Sequence, residues 1–298
     1  MSVVAIKVGI SCTEEIEPLI QAGASEFYGG LLSSQQTPLI NHRFDKPEYN
    51  FASFRELQKA IKICHQHKKR IYIAANECFS PAKLYPAMIK SMLRILDAGA
   101  DGFILSDFFL LHHLSKNLNF KNPSIGICLS SLTNCFNAKT VDFYKRFNIT
   151  RIVLPQQIYA REAEDMIRYS GLETEVFFHK TNNCPNLDGR CHFCSYTVYK
   201  KNLSQQGFPC RSKFNILNPE SIKNPELIYS KWGVHTGIND YSNLYGYVKT
   251  GISAVKIGLR DKTKIPAKLD FLKHLYGVLK RIDDTPIKQN FLKRVNHA

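Results

Sequence analysis

Two hydrophobic rhythms alternate along the chain. Segments such as FRELQKAIKICHQHKK (54–69) and AREAEDMIRYSG (160–171) repeat apolar residues every three to four positions, the period of an amphipathic helix. Between such segments lie short β-rich runs that are apolar at successive positions. One joint recurs: an amphipathic segment, a glycine, one to three residues, then a β-rich run. It occurs as QAGASEFYGG at 21–30, DAGADGFILSD at 97–107 and KTGISAVKIG at 249–258. A glycine just past a helix takes the left-handed conformation that ends it, and a run apolar on both faces suits a parallel strand covered by helices. These joints predict αβ turns.

Counting such runs places strands near 3–10, 25–31, 70–76, 101–106, 124–129, 151–155, 174–179 and 253–258. Eight βα units in 298 residues predict a closed (β/α)8 barrel of the TIM type, one domain over 1–298. A doubly wound open sheet is the alternative. The rhythm breaks once, at 180–232, where Cys, Asn, Pro and Gly replace any helical period. That insertion follows strand seven. Loops after strands build the C-terminal face of a barrel, so the insertion is expected over the mouth.

Composition narrows the class. With 44% hydrophobic and 22% charged residues the chain can bury a substantial core, which excludes a disordered or fibrous protein. No apolar run approaches the roughly 18 residues needed to span a bilayer. The start, MSVVAIKVGI, lacks the basic, apolar and cleavage regions of a secretory signal. The expectation is a soluble, cytoplasmic protein. The net charge of +15 would suit a polyanion, and residues 256–298 hold eleven Lys/Arg against four Asp. However, KLDFLKHLYGVLKRI (268–282) reads as an outer amphipathic helix with its lysines toward water, and no aromatic–basic stacking motif is visible. The balance favours a small-molecule or protein-bound substrate over RNA.

Nine cysteines are present, and four crowd into Cys184-x6-Cys191-x2-Cys194-x15-Cys210. Four thiolates so close in a polar, helix-poor loop can close around one soft metal centre, and thiolate selects zinc, iron or an iron–sulfur cluster over hard cations. The remaining alternative is four reduced structural thiols. Cys12, Cys64, Cys78, Cys128 and Cys135 lie in or beside predicted elements, where a small core hydrophobe is the simpler reading.

The segment EVFFHKTNNCPNLDGRCHFCS (175–195) resembles the Glu-x-Phe-x-His-Gly-Ala-x-Cys-x4-Gly-x-Cys signature of the collagenase-like peptidase U32 family. Glu175, Phe177, His179, Cys184, Gly189 and Cys191 stand in the corresponding places. Pro209-Cys210-Arg211 resembles that family's Pro-Cys-Arg, and FYGG (27–30), Asn76, Asp107, SSLTNCFN (130–137) and VKIGLR (255–260) resemble its strand-end motifs. The chain departs from the pattern at Lys180-Thr181-Asn182-Asn183, at Gln206, at Gln156-Gln157 and at Gly258-Leu259, while Cys194 is additional.

The resemblance implies a [4Fe–4S] cluster on Cys184, Cys191, Cys194 and Cys210, with zinc as the alternative occupant. It also implies oxygen-independent hydroxylation, or a related modification, of a small aromatic molecule or nucleobase. Two rival functions stand beside it: a peptidase, and a cluster-bearing subunit paired with a heteromeric partner of the same family. No His-Glu-x-x-His, Gly-x-Ser-x-Gly or clearly spaced carboxylate pair supports hydrolysis.

The candidate catalytic residues are His179, Asn76, Asp107, Ser130 and Asn134, each at or after a predicted strand end. A packing role for His179 and helix capping for the others are the ordinary alternatives. Lys256, Arg260 and Arg211 are candidates for holding a substrate carboxylate or phosphate, against the alternative of solvated charge.

Overall fold

The computed structural model describes residues 4–34, 38–39, 41, 47–116, 124–178 and 241–296. His179, Arg211, the four clustered cysteines Cys184, Cys191, Cys194 and Cys210, and the whole 180–232 segment lie outside the described residues.

Eight parallel strands close into a barrel in sequence order. They are β1 (Ala5–Ile10), β2 (Glu26–Gly29), β3 (Arg70–Ala75), β4 (Gly102–Leu105), β5 (Gly126–Leu129), β6 (Arg151–Val153), β7 (Glu173–Phe177) and β8 (Ala254–Ile257). All eight fall within the predicted runs, to within a residue at their ends, and β8 closes on β1 with Lys7 opposite Lys256. The helices are α1 (Ile16–Gln21), α2 (Phe54–Gln66), α3 (Tyr85–Asp97), α4 (Phe108–Lys116), α5 (Ala138–Lys145), α6 (Ala160–Tyr169), α7 (Tyr241–Thr250), α8 (Ile265–Asp283) and α9 (Lys288–Asn296). This is the (β/α)8 barrel, and the open sheet is excluded by the β1–β8 pairing. Among the described residues no helix is long and apolar enough to cross a membrane.

Local chemistry sets the boundaries. The Ser53 side chain accepts from the Glu56 amide at the start of α2, and the Glu56 carboxylate reaches back to the Ala52 amide at 2.8 Å. Leu57, Ala60, Ile61 and Cys64 then form the buried stripe of that helix. The three expected αβ glycines, Gly23, Gly99 and Gly251, have φ of +109°, +96° and +102°, so each of these joints turns as predicted. Gly102 serves a different end. A Cβ there would lie 1.9 Å from the Gly126 carbonyl oxygen, so the β4–β5 approach depends on the glycine at 102.

The strands separate two environments. Outward residues such as Val8, Phe27, Ile73, Phe103, Ile127, Ile152, Val176 and Val255 join one large apolar cluster with the helices. Inside the barrel, among the described residues, only Tyr28, Tyr72, Ile104 and Cys128 form an apolar cluster. The expectation that these runs are apolar on both faces therefore fails for the inner face. Lys7, Glu26, Arg151, Glu175 and Lys256 alternate with outward apolar neighbours and are all buried. Charge is tolerated in this interior because each charge meets an opposite one.

A second expectation is corrected at α8. Lys268 was expected to face water with the other lysines of that helix, yet its side chain is wholly buried. Its ammonium donates to the Gly9 carbonyl at 2.8 Å and pairs with Glu15 at 2.5 Å. Glu15 in turn accepts from the Cys12 amide at 3.2 Å. The pair locks α8 to the loop after β1.

Candidate active site at the barrel mouth

A line of ion pairs runs up the barrel axis. At its lower end Arg70 and Glu173, the first residues of β3 and β7, are about half exposed. Glu26 pairs with Arg70 and Arg151, and the Arg151 guanidinium also meets Glu173 through Nε at 2.8 Å. Arg151 Nη1 then reaches Glu175 at 3.1 Å. Glu175 is the hub: Lys7 binds its Oε2 at 3.0 Å and Lys256 lies 3.1 Å from its Oε1.

The aromatic rings complete this interior. Lys7 Nζ sits 3.9 Å from the centre of the Tyr72 ring, and Lys256 Nζ sits 4.2 Å from that of Tyr28. The negative ring faces supply part of the solvation that water would otherwise give these ammonium groups.

Burial alone would raise the Glu175 carboxyl, but Lys256, Lys7 and Arg151 together hold it well below the usual carboxylate range. For Lys256 burial is the larger effect. It pushes the ammonium down to about 8 against the pull of Glu175, and Lys7 adds repulsion. The fully buried core of the line is three cations, Lys7, Arg151 and Lys256, against two carboxylates, Glu26 and Glu175. It therefore carries an excess positive charge, with the titrating amine at the end of β8.

Arg260, just past β8, is buried at the mouth, and its guanidinium lies 5.9 Å from the Tyr28 ring that Lys256 also faces. Its Nη2 donates to Asn41 Oδ1 at 3.2 Å, and Asn41 Nδ2 donates to Asn50 Oδ1 at 2.9 Å. Gly30 makes room for this group: a Cβ there would lie 2.1 Å from Asn50 Oδ1 and 2.5 Å from Arg260 Nη1. The Ser11 hydroxyl donates to the Arg260 carbonyl at 2.7 Å and fixes the backbone. Lys256 and Arg260 are thus brought together, buried and oriented, and neither is a solvated surface charge. The two cations share one aromatic ring, Tyr28, at the mouth.

The other candidates stand on the far side of the ring, after β3, β4 and β5. Asn76 is half-buried, and its carbonyl accepts from the Ser106 hydroxyl at 3.0 Å. Asp107 is buried, with Oδ1 accepting the Leu110 amide at 3.1 Å and Oδ2 accepting the Tyr85 hydroxyl at 2.7 Å. It caps α4. Burial and then Asp107 push the Tyr85 phenol up to about 12, which keeps it a donor. Ser130 accepts the Leu132 amide at 3.3 Å and caps a single turn. Asn134 ends that turn at φ +59°. The capping alternative thus describes Asp107 and Ser130, and all four residues follow the C-terminal ends of β3, β4 and β5.

Lys7, Glu26, Arg151, Glu175 and Tyr28 were not among the expected site residues. The signal was present as one charge, or two in ETEVF, on the inward parity of otherwise largely apolar strands: AIKVGI, EFYG, RIV, ETEVF and AVKI.

Five of the nine cysteines are described, and all are free thiols. Burial pushes Cys12, Cys64 and Cys135 up to about 12 and raises Cys128 further from ionisation. Such thiols are poor soft-metal ligands. Among the described residues no three His, Cys, Asp or Glu side chains gather as a metal site. The chain leaves β7 at the C-terminal face and is next described at the start of α7, on the same face. The segment with the four clustered cysteines is tethered there at both ends.

The model of peptidase family U32 matches residues 12–269. The chain belongs to this family. It is 30% identical over 184 residues to a protein of Haemophilus influenzae named tRNA hydroxylation protein P, covering 61% of this chain and 36% of that relative. The protein of the same name from Escherichia coli K12 is 27% identical over 197 residues, 65% of this chain and 40% of that one. This chain therefore spans well under half the length of these two relatives. Among solved structures, the U32 peptidase Mk0906 superposes with a TM-score of 0.50 at 10% identity, covering 86% of this chain and 93% of that one, which is a likeness of fold.

Proposed function

We propose that the chain carries out oxygen-independent hydroxylation, or a closely related modification, of an aromatic ring held at the barrel mouth, with a tRNA nucleobase as substrate. The observation that carries the reading is the pair Lys256 and Arg260 on Tyr28, within a mouth whose family relatives are named for tRNA hydroxylation. A nucleotide offers both the flat ring and the phosphate that such a mouth accepts. The charge distribution by itself favoured a small molecule; the relatives outweigh it.

A [4Fe–4S] cluster on Cys184, Cys191, Cys194 and Cys210 would supply the electron chemistry when bound; among the described thiols no metal-binding group gathers, and burial raises Cys12, Cys64, Cys128 and Cys135 away from the thiolate form. The chain's own residues have separate tasks. Lys256 and Arg260 bind and orient the anionic group. Glu175 stays ionised and holds Lys256 in place, and Lys256 can give up a proton near neutral pH.

The peptidase reading is supported by the family's name and by Mk0906. One experiment separates the two: purification of the full chain without oxygen, followed by iron and sulfide analysis and an assay on gelatin. About four iron and matching sulfide per chain, with no cleavage, is the expected result. Stoichiometric zinc without sulfide, or cleavage abolished by substituting Lys256, would overturn the proposal.

A further inference from the structure

The rim of the mouth exposes aromatic rings. Phe108 and Phe109 open α4 just after β4 and are 50% and 47% exposed, and Phe143 of α5 is 40% exposed. They form an ordered set. Phe108 lies parallel to Phe143 within 13°, centroids 6.0 Å apart, and Phe109 meets Tyr85 of α3 at 4.2 Å. Buried Phe147 supports Phe108 and Phe143 edge-on at 5.2 and 5.6 Å. Packing from below fixes the rings and leaves their outer parts to solvent.

Charge surrounds this arc asymmetrically. Lys139 lies four residues before Phe143 on the same side of α5, Lys145 and Arg146 follow it, and Arg146 sits 5.8 Å from the Phe143 ring. All three cations are exposed and none forms an ion pair among the described residues, while Asp142 is the exposed carboxylate beside them. Open rings beside uncommitted cations match a ligand that is flat and anionic together, as a single nucleic-acid strand is. Protein interfaces, by contrast, are depleted in lysine. The sequence shows no such motif because the rings come from three helices.

We propose that this α3–α5 face binds single-stranded RNA, with bases on Phe108 and Phe143 and phosphates on Lys139, Lys145 and Arg146, and delivers the strand to the mouth. The proposal rests on the RNA reading of the substrate above and adds to it a recognition surface outside the barrel.

The test is fluorescence anisotropy of the full chain with a labelled short oligouridine, its duplex counterpart and unfractionated tRNA, at two salt concentrations. The single strand should bind more tightly than the duplex. Phe108→Ala and Phe143→Ala should each weaken binding roughly tenfold, and Phe108→Tyr should restore it. Arg146→Ala should lower the salt slope by about one. These positions are exposed, so unchanged circular dichroism and melting are expected as controls. If wild type binds tRNA and both Phe variants bind equally well, the face is wrong while the RNA reading stands. If the Phe variants alter only the oligomeric state, the face is a protein interface and the proposal fails. If wild type binds no RNA, this proposal falls, and the nucleoside content of cellular tRNA decides the function separately.

Discussion

Glu175 shows how much one side chain can organise. It receives Lys7, Arg151 and Lys256 within 3.1 Å in a fully buried site, so removing its charge leaves Lys7 and Lys256 without a counter-charge while Arg151 keeps Glu26 and Glu173. Glu175→Gln should cost about 3–5 kcal/mol in urea unfolding, and a loss below about 1 kcal/mol would mean that the line of pairs is not as described. The pH dependence follows from the direction of each shift. Glu175 is depressed, so its contribution is complete above the ordinary carboxylate range and is lost as acid protonates it in the folded state. Lys256 is also depressed, to about 8, so the folded state sheds its proton first and its unfavourable contribution fades between about 8 and the ordinary 10.5. Binding of an anionic substrate should therefore weaken as pH rises through about 8, and Lys256→Met should flatten that profile while lowering affinity. An unchanged profile in the variant would remove Lys256 from the binding site.

Among the elements, the strands were legible because helix-covered parallel strands leave a strong outward apolar signal, and the joints at Gly23, Gly99 and Gly251 marked where three of them begin. The inner face was less legible. A lone Lys7 or Glu26 in an apolar strand has meaning only once the closed barrel sets it opposite its partner on another strand, as far as 168 residues away for Lys7 and Glu175. Lys268 escaped for the same reason: its partner, Glu15, lies 253 residues away. The positions of Asn76, Asp107, Ser130, Asn134, Lys256 and Arg260 at the mouth were legible because they lie at or just past strand ends. The β4–β5 junction gives a sharp check. Gly102→Ala must drive a methyl into the Gly126 carbonyl at 1.9 Å, and should lower stability by more than about 2 kcal/mol in thermal or urea unfolding. Tolerance of alanine there would show that the two strands do not approach so closely.

At the scale of the molecule, the barrel divides its work between its ends. The lower end and axis hold paired charge, which fixes Lys256, and the upper face gathers the two cations, the polar strand ends and both tethers of the cysteine-bearing segment. The helices α3 to α5 add an aromatic and basic flank beside that face. On the function proposed above, this mouth modifies a tRNA base without oxygen. The most direct measurement is mass spectrometry of nucleosides from total tRNA of the native host grown anaerobically, with the chain deleted and then restored. Deletion should remove a hydroxylated nucleoside, wild type should restore it, and Cys191→Ala or Lys256→Met should not. An identical nucleoside profile with and without the chain would contradict that function.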